Sequence, residues 1–106
     1  MKLRDYQESS QRTLNNNLLK NEQIANMLLG INGEVGEVTD LFKKHFYQGH
    51  ELEIGKVAEE IGDVMFYIVN LCNLLNLDLE VVIENNYYKL LRRYPEGFEK
   101  ERSINR

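Results

Sequence analysis

The sequence predicts an all-α protein, a four-helix, bundle-type fold that assembles as an oligomer, and three observations lead there. Apolar residues recur at three- and four-residue steps through long stretches, the pattern of helices that bury one face. No stretch alternates apolar and polar residues for long enough to make a strand. The single proline, Pro95, lies near the end of the chain, and Asn15 to Asn17 and Gly49 punctuate the periodic segments, which places the breaks between helices.

A first helix is expected from Asp5 to Leu14, with Leu3, Tyr6 and Leu14 inward and a turn at Asn15, Asn16 and Asn17. The second runs from Asn21 to Gln48, where Ile24, Leu28, Ile31, Val35, Val38, Phe42 and Phe46 keep the period and Gly49 supplies a C-cap. Gly30, Gly33 and Gly36 lie inside it, each costing about 1 kcal/mol relative to alanine. Close approach of another helix or a ligand would justify them, as would a helix distorted around a site.

A third helix is expected from Glu51 to Asn76. Its apolar arc, which includes Ile54, Val57, Ile61, Val64, Ile68 and Leu75, is too wide for one neighbour, so the helix is either central in the bundle or shared with another subunit. Asp78 is a good N-cap for a fourth helix with Leu79, Val82, Ile83, Tyr87, Leu90 and Leu91, ending before Pro95. Pro95, Glu96 and Gly97 mark a turn; residues 99–106 are mostly charged and expected to fray, with Phe98 as an anchor.

Composition limits the function. A chain of 106 residues makes a single domain, 1–106, small enough that association adds useful burial, as a dimer or a tetramer. Its net charge of −4 argues against a nucleic-acid polymer as partner, because sequence-independent binding needs a basic face. The lone Cys72 falls on an apolar stripe and reads as a small buried hydrophobe. Met1 to Asp5 lacks the apolar core of a secretory signal, and no apolar run is long enough to span a bilayer. A cytoplasmic location with no membrane partner is expected.

The organising feature is acidic. Glu34-x-x-Glu37 and Glu60-x-x-Asp63 each place two carboxylates on one helix face, about 60° apart at about 100° per residue. Glu60 falls inside the third helix's apolar arc and Asp63 at its border. Two such pairs on antiparallel neighbours bring four like charges together, an arrangement that makes sense with a cation among them. Oxygen ligands alone favour Mg2+, with Mn2+ as a substitute. A di-iron carboxylate site would need Glu-x-x-His motifs, which are absent. His45 and His50 stand outside the acidic pairs as helix-end residues.

Asn86, Lys89 and Arg93 share one face of the fourth helix, and Lys44 follows Glu37 by two turns. Beside a metal site these groups suit phosphate oxygens. No Gly-x-x-x-x-Gly-Lys loop and no serine or histidine nucleophile constellation is present, which leaves metal-assisted hydrolysis.

Gly33-Glu34-Val35-Gly36-Glu37, Glu59-Glu60-Ile61-Gly62-Asp63-Val64 and Asn86-x-x-Lys89-x-x-x-Arg93-Tyr94-Pro95-Glu96-Gly97-Phe98, in that order, resemble the MazG-like nucleoside triphosphate pyrophosphohydrolases. The resemblance extends to Tyr6-Gln7. It implies the all-α NTP pyrophosphatase fold, oligomers built by close helix packing, and cleavage of nucleoside triphosphates between the α and β phosphates to monophosphate and pyrophosphate. Carried over, Glu34, Glu37, Glu60 and Asp63 would be catalytic and bind magnesium, while Asn86, Lys89 and Arg93 would face the triphosphate. Lys44 falls in a segment that varies in the family. The alternative is a non-catalytic helical module that binds a nucleotide or a protein.

Overall fold

The computed structural model describes residues 1–98 and 100–105. Among them are α1 (Leu3–Gln11), α2 (Lys20–Gln48), α3 (Ile54–Leu74), α4 (Leu79–Arg93) and a five-residue α5 (Lys100–Ile104). The chain is all-helical, as the periodicity requires. Within the tail over 99–106, expected to fray, lies the short α5, built from residues of good helix propensity such as Lys100 and Glu101; residues 99 and 106 lie outside the described residues. Phe98 contacts the Tyr94 ring, with centroids 5.5 Å apart.

Local chemistry sets the helix ends. The Glu22 side chain accepts from the Leu19 N–H at 3.0 Å to start α2, and Gly49 ends it in the left-handed region at φ 72°, where a side chain would be strained. α1 stops short of the expected Leu14, and the Thr13 hydroxyl bonds back to the Ser10 carbonyl at 2.7 Å, competing with helix continuation. At the end of α3, the Leu77 N–H donates to the Cys72 carbonyl at 2.9 Å and Asn76 takes φ 56°, the six-to-one closure of a Schellman turn. The Asp78 side chain then caps α4 by accepting from the Glu80 N–H at 3.0 Å, as expected.

α2 and α3 pack along their length as a helical hairpin, α1 lies across α3, and α4 packs on α1. Between α3 and α4 the chain bends by 103°. Val69, Cys72 and Leu79 form the buried centre, with Leu3, Tyr6, Met65 and Ile68 packed against them; Cys72 is thus the buried hydrophobe that the stripe indicated. Gln23, Met27, Val57 and Leu74 are buried along the hairpin.

A polar network fastens α1 to the corner between α3 and α4. The Gln7 amide donates to Asn73 Oδ1 at 3.0 Å and to the Leu77 carbonyl at 2.8 Å, and its Oε1 accepts from the Leu79 N–H at 2.9 Å. Asn70, fully buried, donates to the Thr13 hydroxyl at 3.3 Å and accepts from Asn73 at 3.0 Å. Buried amides are tolerated because they are satisfied: among the described residues no buried side-chain nitrogen or oxygen lacks a partner.

One side of the helix assembly stays open. Ile54 and Ile61 on α3 are 66% and 51% exposed, the part of the wide arc that α2 and α1 leave uncovered. On α4, Val82, Ile83, Tyr87, Leu90 and Leu91 are all exposed. Among the described residues no single helix is long and apolar enough to cross a membrane.

Candidate active site

Glu34 projects from α2, and Glu60 and Asp63 project one turn apart from α3, so that one oxygen from each lies within 4.8 Å of the others. The hairpin brings them together because Glu34 and Glu60 sit on the facing sides of the two helices, where both are half-buried, while Asp63 is exposed at the edge. The Glu34 side chain facing it, partial burial and the negative charges of Glu34 and Asp63 hold the Glu60 carboxyl above its ordinary range. The cluster is short of positive charge.

The donor set fits a small hard cation. Oxygens at about 2.0–2.1 Å from Mg2+ are at most about 4.2 Å apart across an octahedron, and three carboxylate oxygens that all lie within 4.8 Å of one another are within reach of one such ion after small side-chain adjustments. Only oxygen donors are present in the cluster, which suits Mg2+ or Mn2+ better than softer metals.

Glu37 stands apart from this group. It is exposed one turn further along α2, and its charge instead reaches Lys44. Lys44 is engaged with a residue that the sequence reading passed over: its Nζ lies 2.9 Å from Asp40, which Lys43 also approaches at 3.5 Å. Lys44 beside Asp40 holds that carboxyl below the usual range, and Asp40 in turn raises the Lys44 ammonium. Asp40 was legible as the next three-residue step after Glu34 and Glu37. Lys44 also lines a groove of about 250 Å³ with Leu41, His50, Glu51, Glu53 and Lys56. The His45 ring is 2.8 Å from the His50 carbonyl, a helix-end contact as expected.

The glycines divide. At Gly30 a Cβ would overlap Cδ1, Cε1 and Cζ of the Tyr67 ring, so this glycine answers to close helix approach. Gly33, Gly36 and Gly62 face open space, leaving the backbone beside Glu34, Glu37 and Asp63 accessible.

Asn86, Lys89 and Arg93 share a face of α4, as expected, with Asn86 and Lys89 exposed. The fold does not bring them to the cluster of their own chain. Asp63 is about 16 Å of helix from the end of α3 and Lys89 about 15 Å along α4, at 1.5 Å per residue; with the 103° bend the separation is roughly 20 Å.

A helical hairpin whose two arms aim carboxylates at one point defines a helical protein with an acidic, cation-type site. The family follows from comparison: the model of the MazG nucleotide pyrophosphohydrolase domain matches residues 22–98, from the start of α2 through the turn after α4, and the chain belongs to that family. No curated protein and no solved structure matches the chain at a significant level.

Proposed function

We propose that the protein hydrolyses nucleoside or deoxynucleoside triphosphates between the α and β phosphates, in a Mg2+-dependent reaction that yields monophosphate and pyrophosphate and serves to clear the nucleotide pool. The observation that carries this reading is the convergence of Glu34, Glu60 and Asp63 between α2 and α3 inside a MazG domain.

Glu34, Glu60 and Asp63 hold the cation, and Glu37 joins them from the next turn by a change of rotamer. The bound cation would lower the pKa of a coordinated water and draw charge from the phosphates. Glutamates of the set orient that water and take up its proton. Asn86, Lys89 and Arg93 hold phosphate oxygens by charge-assisted hydrogen bonds, and Lys44 adds to the positive rim once substrate competes for it with Asp40.

Because α4 lies roughly 20 Å from its own cluster by helix length, the reading includes self-association, as a dimer or tetramer, in which a second copy supplies the α4 strip. The apolar faces of α3 and α4 that stay exposed in one chain support such an assembly: covering apolar area is what drives subunit packing.

Incubation with Mg2+ and each common nucleoside and deoxynucleoside triphosphate, with products separated by anion exchange, tests the reaction. Monophosphate plus pyrophosphate, lost on chelation, is the expected outcome and also ranks the bases. Diphosphate plus phosphate would reject α,β cleavage, and no turnover of any substrate would favour the binding-module alternative.

A further inference from the structure

We propose that Gly30 and Tyr67 form a spacer that fixes the separation of α2 and α3 at the carboxylate cluster, and thereby the size of cation the cluster accepts. This rests on the cation reading above. Gly30 precedes Glu34 by four residues and Tyr67 follows Asp63 by four, so each lies one turn from a carboxylate on its own helix. In an antiparallel pair those two turns lie on the same side of the cluster. The spacer therefore sits about 5 Å from the carboxylates.

The contact is between an aromatic ring and bare helix backbone. A Cβ at Gly30 would occupy the space of Tyr67 ring atoms, and a ring cannot yield as the end of a lysine can. Tyr67 is half-buried in the interface, which limits its escape. An added methyl group at position 30 pushes the helices apart, and stiff helices carry that displacement one turn further to Glu34, Glu60 and Asp63. Packed interiors transmit such changes instead of absorbing them.

The consequence differs between cations. Mg2+ requires near-ideal octahedral geometry at about 2.0–2.1 Å, whereas Ca2+ accepts longer bonds of about 2.3–2.6 Å and irregular geometry. Widening the cluster therefore costs Mg2+ and Mn2+ more than Ca2+. Gly30 and Tyr67 touch no ligand in this scheme; they are a positioning pair that acts through the spacing.

The test uses the full chain and Mn2+ binding followed by electron paramagnetic resonance, with Mg2+ and Ca2+ as competitors. Gly30→Ala is expected to weaken Mn2+ and Mg2+ by about tenfold or more, in the range of other supporting contacts around metal sites, while Ca2+ weakens less than about threefold. Tyr67→Leu shifts the same ratio. The double variant restores the lost volume and returns the ratio to within about threefold of the parent, a coupling that a double-mutant cycle reads directly. Gly55→Ala, at a helical glycine that faces open space, leaves the ratio unchanged. An unchanged ratio in Gly30→Ala, or a parallel loss of all three cations without recovery in the double variant, overturns the spacer. If Gly30→Ala fails to fold by circular dichroism, Tyr67→Leu is compared with Tyr67→Phe: a shift only on loss of the ring supports the proposal, and no shift in either overturns it. Absence of Mn2+ binding by the parent protein would overturn the cation reading itself, whereas parent binding with an unchanged Gly30→Ala ratio overturns the spacer alone.

Discussion

The Glu34 carboxylate on α2 and the Glu60 carboxylate on α3 meet across the helix interface, one oxygen of each lying within 4.8 Å of the other and of Asp63, and that proximity raises the proton affinity of Glu60. This relationship costs stability unless a cation or a proton relieves it. The folded state holds the Glu60 proton more tightly than the unfolded chain, so the cation-free protein loses stability as pH rises from the ordinary value of 4.5 through the raised folded value. At pH 7 without metal, Glu60→Gln should therefore melt at a higher temperature than the parent. Added Mn2+ should raise the melting temperature of the parent and leave the variant where it is. A variant that melts lower, or that still responds to Mn2+, would remove Glu60 from the cation site.

If a second copy supplies the phosphate-holding strip, defects on the two elements should complement each other. Asp63→Asn damages the cluster and Lys89→Ala damages the strip, and each alone should lose most turnover. Co-refolded, the two variants can form mixed oligomers with one intact composite site, and activity should reappear. Two inactive parents that stay inactive when mixed would place the strip and the cluster in the same chain, and a Lys89→Ala variant that keeps full turnover would take Lys89 out of the reaction.

The exposed apolar face of α4 leads to a related expectation. Ile83 is 47% exposed in one chain, so Ile83→Glu is tolerated by the isolated fold but would place a charge in a subunit interface. Sedimentation should show a shift to monomer with helix content retained and turnover lost. An oligomer of unchanged size and activity would mean that α4 is not the covered surface.

Gln7 is expected to matter for stability and not for catalysis. Its truncation to alanine would leave the Leu79 N–H without its side-chain acceptor at a residue that is buried. The penalty is about 1–3 kcal/mol, to be read as a lower urea midpoint with an unchanged slope. An unchanged midpoint would show that water replaces the amide.

Burial holds the Cys72 thiol above its ordinary value of 9.0. The sign follows directly: the unfolded chain releases this proton first, so stability is present below pH 9.0 and falls as pH rises from there through the raised folded value. The drop should be smaller in Cys72→Ala, compared by urea denaturation at pH 8 and pH 10, and the native thiol should react slowly with a disulfide reagent. Equal drops in parent and variant would locate the alkaline loss elsewhere.

Much of this was legible in the sequence because it is local. The three- and four-residue steps placed α2, α3 and α4, Gly49 marked a left-handed end, and Asp78 marked a cap, each decided within a few residues of chain. The acidic pairs were legible for the same reason. What could not be read was where the elements lie relative to one another. Spacing alone treated Glu37 like Glu34, yet Glu34 is the one that gathers with Glu60 and Asp63 in this conformation, since a single turn of helix leaves Glu37 exposed beside them. It grouped Asn86, Lys89 and Arg93 correctly on one face but could not supply the 103° bend that carries that face away from the cluster. Gln7 and Asn73, far apart in sequence, form a clamp that no periodicity announces.

The most direct measurement is a crystal structure of the protein with Mn2+ and a non-hydrolysable α,β-imido deoxynucleoside triphosphate, with the metal located by its anomalous scattering. The account requires a manganese peak bound by Glu34, Glu60 and Asp63, the α and β phosphates on that metal, and Lys89 of a neighbouring copy against the phosphate chain. A metal bound elsewhere, or phosphates seated away from the α2–α3 carboxylates, would contradict it.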